Sequence, residues 1–248
     1  QQLQAAYDST YQAILKELRK RKIYLISEMQ LTPKQSNFVW TYFESKVLPE
    51  LSPMMVSDKK NFPFLKEGSI YFAVKIAHEK QVSYAVLEIP SNRLGRFTRL
   101  PSRSKGRERV FITLDNIIRH CLQDVFMGAL PIDSIEAYTI KITRDAELEL
   151  GEGISDSLME KMSASLKKRL KGAPVRFVYD EAITEDLLAF LSRKMNLRKK
   201  DSFIPGGRYH NSKDFIDFPN PGAPYLELKP LAPIPYPGLD REKNIFEC

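Results

Sequence analysis

Cysteine is scarce in this chain, with only Cys121 and Cys248 present. Cys121 lies in an apolar helical pattern and Cys248 is the last residue, so a disulfide framework is not expected. Histidine is nearly as rare. His78, His120 and His210 stand far apart, and none has a Cys, His or carboxylate partner at a metal-ligand spacing. There is no apolar run of membrane length and no recognisable signal peptide. The expected compartment is therefore the cytosol, with membrane association only as part of a larger complex. The chain also lacks a Gly-x-x-x-x-Gly-Lys-Ser/Thr loop, a dinucleotide fingerprint and a Gly-x-Ser-x-Gly elbow. On pattern alone it carries no convincing active site.

What is present is positive charge. The net charge is +7 and the isoelectric point is near 9.2. That allows an anionic partner such as nucleic acid, polyphosphate or an acidic membrane surface, or else a basic but inert exterior. With 248 residues, 43% of them apolar, the chain can form one large domain or two small ones. It opens inside a helical pattern and ends on Asn244-Ile-Phe-Glu-Cys248, which reads as the start of another element. Both ends are expected to belong to a longer protein.

The chain is organised around the stretch from Asp201 to Phe218. It holds a short apolar strand signal, the break Pro205-Gly206-Gly207, and then Arg208, Tyr209, His210, Asn211 and Lys213. Paired glycines allow a sharp turn or a close backbone approach. The turn is either a structural connection or a phosphate contact. A phosphohistidine at His210 is chemically conceivable, because imidazole is a good phosphoryl nucleophile, and a hydrogen-bonded turn histidine is the plainer reading.

Helical spacing of Leu3, Tyr7, Tyr11, Ile14, Leu15 and Leu18 predicts a helix to about residue 29. Thr32-Pro33-x-Gln35 is a strong start for a second helix, so the first 50 residues read as a helical hairpin. β-rich runs at 69–77 and 82–89, split by a polar turn at His78 to Gln81, predict a β-hairpin, and Val110-Phe-Ile-Thr113 a third strand. Thr113 and Thr184 are placed to cap helices, strands are expected at 137–143 and 175–179, and a helix at 155–170. The whole reads as α+β, a mainly antiparallel sheet with helices on one face. Prolines clustered between 219 and 240 predict a linker or surface strap.

Arg93, Arg96, Arg99, Arg103, Lys105, Arg107 and Arg109 crowd one loop, opposed only by Glu108. Such a loop is either a polyanion track or a solvated connection. With Arg208 and His210, these residues up to Arg107 form the set of candidate polyanion contacts. Arg144-Asp145 reads as a structural ion pair. The acidic run Glu147, Glu149, Glu152 and Asp156 reads as a solvated loop rather than a metal site.

Several long segments stand out in order. They are Leu87-Glu-Ile-Pro-Ser91 with Arg96-Phe97 and Leu100-Pro101, Leu114-Asp-Asn-Ile-Ile-Arg119, and Thr143-Arg-Asp-Ala-Glu147. Ser157-Leu-Met-Glu160 with Ser165-Leu-Lys-Lys-Arg169, Pro174-Val-Arg-Phe-Val-Tyr179, and the stretch from Asp201 to Phe218 complete the set. Together they resemble the polyphosphate kinase family of bacterial enzymes. The resemblance implies that residues 1–55 are the last helices of an N-terminal domain. It makes 56–218 the middle, or head, domain and 219–248 a linker into C-terminal catalytic domains. It also implies that the full-length enzyme uses ATP and magnesium and reversibly transfers the terminal phosphate of ATP to polyphosphate through a phosphohistidine. His210 does not match the family's catalytic histidine, so no catalytic, cofactor-binding or metal-binding residue is carried over. For this piece the resemblance implies a non-catalytic role, in homo-oligomer contacts and in shaping a tunnel. Polyphosphate is the expected partner and nucleic acid is not. The alternative is a stand-alone module for polyanion binding or dimerisation.

Overall fold

The computed structural model describes residues 2–57, 62–103, 108–128, 131–144, 174–197, 202–208, 212–220, 224–229 and 231–232. The expected helix at 155–170, the acidic run, Asp145, Lys105, Arg107 and His210 lie outside the described residues. Contacts divide the chain into two units, Gln1–Phe218 and Pro219–Cys248.

The amphipathic spacing near the beginning builds α1 (Gln2–Lys20), but the helix stops there. A turn with Lys22 at φ 60° leads into a strand, β1 (Ile23–Ile26), where the sequence pattern predicts continued helix. Ile-Tyr-Leu-Ile is rich in β-branched and aromatic residues, and pairing with a distant strand decides its state. Two helices are therefore present as expected, with a strand between them. The second, α2 (Pro33–Tyr42), begins as its sequence specifies: the Thr32 hydroxyl accepts from the Gln35 amide, and the Gln35 side chain accepts in return from the Thr32 amide. Gln35 also donates to the Pro101 carbonyl at 2.8 Å, which ties the helix start to the Arg-rich loop.

The larger sheet has six strands. They are β2 (Met54–Val56), β3 (Tyr71–His78), β4 (Gln81–Glu88), β7 (Ser134–Arg144), β8 (Pro174–Asp180) and β9 (Ser202–Gly206), in the spatial order β2-β4-β3-β7-β8-β9. Only the β8–β9 pair is parallel. Pro205 is tolerated because β9 is an edge strand. The smaller sheet sets β1 parallel to β6 (Arg109–Thr113), with β5 (Phe97–Leu100) antiparallel on the far side. Strand β5 occupies part of the stretch read as an Arg loop.

Strand β3 alternates between two cores. Phe72, Val74 and Ile76 face α2, the short helices α4 (Leu114–His120) and α5 (Leu122–Phe126), and the small sheet. Tyr71 and Ala73 face Phe177 and α6 (Glu185–Lys194), which contributes Leu187, Phe190 and Leu191. Helices thus cover both faces of the larger sheet rather than one. The physical reason is the near-continuous apolar run Ile70–Ile76, which leaves neither face of β3 for water. The α+β class itself stands. Thr113 and Thr184 occupy the expected cap positions, but neither hydroxyl makes a capping hydrogen bond. Gly128, at φ 83°, takes the left-handed position that commonly closes a helix such as α5.

In the unit Pro219–Cys248 the described residues include a short helical turn, Pro224–Leu226. The Asn220 amide donates to Glu227.

Candidate functional site

The basic stretch begins on a single helical turn, α3 (Ser91–Leu94). Gly95, at φ 73°, then swings the chain into β5, a conformation few other residues adopt. That turn divides the arginines into different environments. Arg93 is exposed and pairs with Glu50 at 2.6 Å, the pair sustaining a guanidinium pKa above its usual value. Arg96 points inward. Its side chain is 2% exposed, and its Nε donates to Asp115 Oδ1 at 3.1 Å in the interior. Arg99 is exposed on β5, and Arg103 is exposed but hands one donor to the Gln30 carbonyl at 2.9 Å. Arg93, Arg99 and Arg103 thus face solvent, while Arg96 serves the interior.

Arg208 is half-buried and forms an ion pair with Glu28, just beyond β1. Next to this pair sits Arg119, which sequence reading did not single out. Its guanidinium lies over the Phe72 ring, 4.5 Å from the centroid, and donates to the Ala137 carbonyl and to the Thr139 hydroxyl. Asp180 stands 3.8 Å away. Burial and the neighbouring Arg208 charge push the Arg119 guanidinium below its usual pKa, while Asp115, Asp180 and Glu28 act in the opposite direction. Three arginines and three carboxylates therefore share one interior cluster: Arg96, Arg119 and Arg208 with Glu28, Asp115 and Asp180. Their charges cancel, as the low dielectric of an interior requires.

The cluster holds the fold together. It draws on the turn after β1, the approach to β5, helix α4, the end of β8 and the turn after β9. The signal that could have exposed it is Asp115, Asn116 and Arg119 set among Leu114, Ile117, Ile118, Cys121 and Leu122. Polar groups at core positions of a short helix need partners from elsewhere. Among the remaining candidates, His78 ends β3 with Nδ1 3.3 Å from Asp133 Oδ1. His120 is exposed at the end of α4.

Among the described residues no three His, Cys, Asp or Glu side chains come together as a metal site.

A family model described as the polyphosphate kinase middle domain matches residues 34–218. The chain belongs to this family. Polyphosphate kinase from Vibrio vulnificus strain YJ016 is 42% identical over 247 residues, covering 99% of this chain and 35% of that protein. Polyphosphate kinase from Escherichia coli K12 is 42% identical over 245 residues, covering 98% of this chain and 36% of the relative. The crystal structure of polyphosphate kinase from Porphyromonas gingivalis superposes with a TM-score of 0.72 at 27% identity. That match covers 92% of this chain and 32% of the other. The chain spans about a third of the length of the curated relatives it matches. In this middle-domain chain no described helix is long and apolar enough to cross a membrane.

Proposed function

We propose that this chain is the middle-domain part of an enzyme that moves phosphate between ATP and a polyphosphate chain, and that its own role is non-catalytic. It offers an exposed basic surface along which polyphosphate lies, and it contributes to contacts between copies of the enzyme. The observation that carries this reading is the division of the arginines. Arg93, Arg99 and Arg103 face solvent, whereas Arg96, Arg119 and Arg208 are consumed by interior carboxylates. Relatives named polyphosphate kinase supply the chemical class of the polyanion. Lys105, Arg107 and His210 remain proposed contacts on sequence grounds.

The test is a titration of the chain with labelled long-chain polyphosphate at low and high salt. Charge reversal at Arg99 and Arg103 should weaken binding and flatten its salt dependence, since each lost phosphate contact removes released counterions. Unchanged affinity in that variant would leave the chain a scaffold and assembly element.

A further inference from the structure

We propose that the polyanion path has a second wall, the basic turn Arg19-Lys20-Arg21-Lys22, brought beside the Arg-rich hairpin by the parallel pairing of β1 with β6. This rests on the polyphosphate reading above and adds residues to it. In sequence the two basic segments are about eighty positions apart and look unrelated. In the fold they meet at one end of the small sheet.

The placement follows from register. Ile23 pairs with Arg109, and the Arg109 amide donates to the Lys22 carbonyl at 2.9 Å. The two strands run the same way, so the residues just before β1 lie beside those just before β6. Helix α1 ends at that same edge with Arg19 and Lys20 in its last turn. Strand alternation then sets the faces. Arg109 and Phe111 project to one side of β6. Phe97 and Arg99 project to the same side of β5, because Arg99 is the partner of Phe111. Leu25 of β1 shares that side and, with Leu15 and Leu18 of α1, lines an apolar cleft. Helix α1 therefore lies over the face from which Arg99 and Arg109 project. Its cationic end sits beside the row of Arg109, and Arg99 projects from the same face two residues further along the ladder, on β5.

Cations outnumber carboxylates at this edge. Arg19, Lys20, Arg21, Lys22 and Arg99 are exposed and Arg109 is half-buried. Among the described residues the opposing charges are Glu17, paired with Lys20 at 2.6 Å, and Glu108, half-buried just before β6, which leaves the edge basic. The last turn of a helix also tolerates cations well, because its carbonyls carry partial negative charge.

The occupant that fits is a linear inorganic polyphosphate rather than RNA. Sequence-tolerant RNA surfaces interleave cations with exposed aromatic rings on which bases stack. Here the aromatics of the same face are spent on each other. Phe97 packs edge-on against Phe215 and Phe218, with centroids 5.4 and 5.0 Å apart, and Phe111 lies 5.1 Å from Phe218. Among the described residues, what remains at the edge is charge without a stacking platform.

The experiment compares three variants of the chain for binding labelled long-chain polyphosphate across a salt series, with single-stranded RNA alongside. They are R19Q/K20Q/K22Q, R99Q/R103Q, and the two sets combined. Circular dichroism and thermal melting check that each is folded. The expected result is roughly a tenfold loss at low salt for R19Q/K20Q/K22Q, with a salt slope shallower by about 2. The combined variant should lose more than either set. Tripolyphosphate, too short to span both segments, should be less sensitive to the combination than the long chain. A folded R19Q/K20Q/K22Q variant with wild-type affinity and slope, beside a weakened R99Q/R103Q, would overturn the second wall alone. No polyphosphate binding by the unaltered chain would overturn the underlying reading. RNA bound as tightly as polyphosphate, through the same residues, would overturn the choice of occupant.

Discussion

Arg208 reaches back across 180 positions of sequence to form an ion pair with Glu28. It links the turn after the last strand of the large sheet to the turn after the first strand of the small one. The glycine-arginine turn that dominates the sequence is thereby a clasp between the two sheets. The pair lies beside Arg119, whose own burial makes the surrounding charge balance consequential.

Removing either end of that clasp should destabilise the chain. Glu28→Gln or Arg208→Met is expected to cost about 1–3 kcal/mol, because a half-buried partner is left uncompensated. The double variant should cost less than the sum of the two, with a coupling of about 1–2 kcal/mol. Urea denaturation measures all four corners of the cycle, and zero coupling would show that the pair contributes nothing.

The Arg96–Asp115 pair is more deeply buried, with both side chains at or below 2% exposure. Arg96→Met alone should cost about 3–5 kcal/mol, since it strands a carboxylate in the core. Arg96→Met with Asp115→Leu should recover much of that loss. A polyphosphate titration of folded Arg96→Met should match wild type, which separates the inward arginine from its exposed neighbours.

Asp186 gives a pH dependence whose sign is fixed. The Lys75 ammonium at 2.7 Å and the Tyr84 hydroxyl at 2.9 Å hold its carboxyl well below the usual range. Its folded pKa is depressed, so its contribution is full above the unfolded value of about 3.9 and fades as pH falls further. The carboxylate is 46% exposed, so solvent screening limits the effect to about 0.5–1 kcal/mol. Asp186→Asn should therefore lower stability by that amount at pH 7, with the difference shrinking below pH 4. A constant difference across that range would refute the assignment.

Cys121 should be chemically silent while the chain is folded. Burial, with a smaller push from Asp124, raises its thiol to about 12. At pH 8 that leaves roughly one thiolate in ten thousand, and the thiolate is the reactive form. In a Cys248→Ser background, a thiol-specific reagent should label Cys121 only at the rate of unfolding. Rapid labelling under native conditions would contradict the buried placement.

The β3–β4 hairpin was legible because its two β-rich runs are neighbours in sequence and its turn is short and polar. The Glu79 amide donates to Asp133 at 2.6 Å, so a distant carboxylate holds a turn already marked by polar residues. The start of α2 was legible because Thr32, Pro33 and Gln35 each satisfy a need of a helix terminus within four residues. Strand β1 was not, since its four residues take their state from β6. Nor was the split among the arginines. A run of cations looks uniformly exposed until Asp115, in a helix formed later in the chain, selects Arg96 from it. Charge alone could not rank the candidate contacts, because burial divides them and burial is a property of the assembled sheets.

The parallel ladder between β1 and β6 bears on how the chain is made. Ile23–Ile26 leaves the ribosome well before its hydrogen-bonding partner Arg109–Thr113, which follows only after the β3–β4 hairpin has emerged. That hairpin's two strands are joined by a two-residue turn, so they can pair as soon as both have emerged. Through that interval the nascent β1 shows an unpaired edge, which is a template for wrong pairing. Among the described strands β1 waits longest for its first partner, and mispairing during translation should concentrate there.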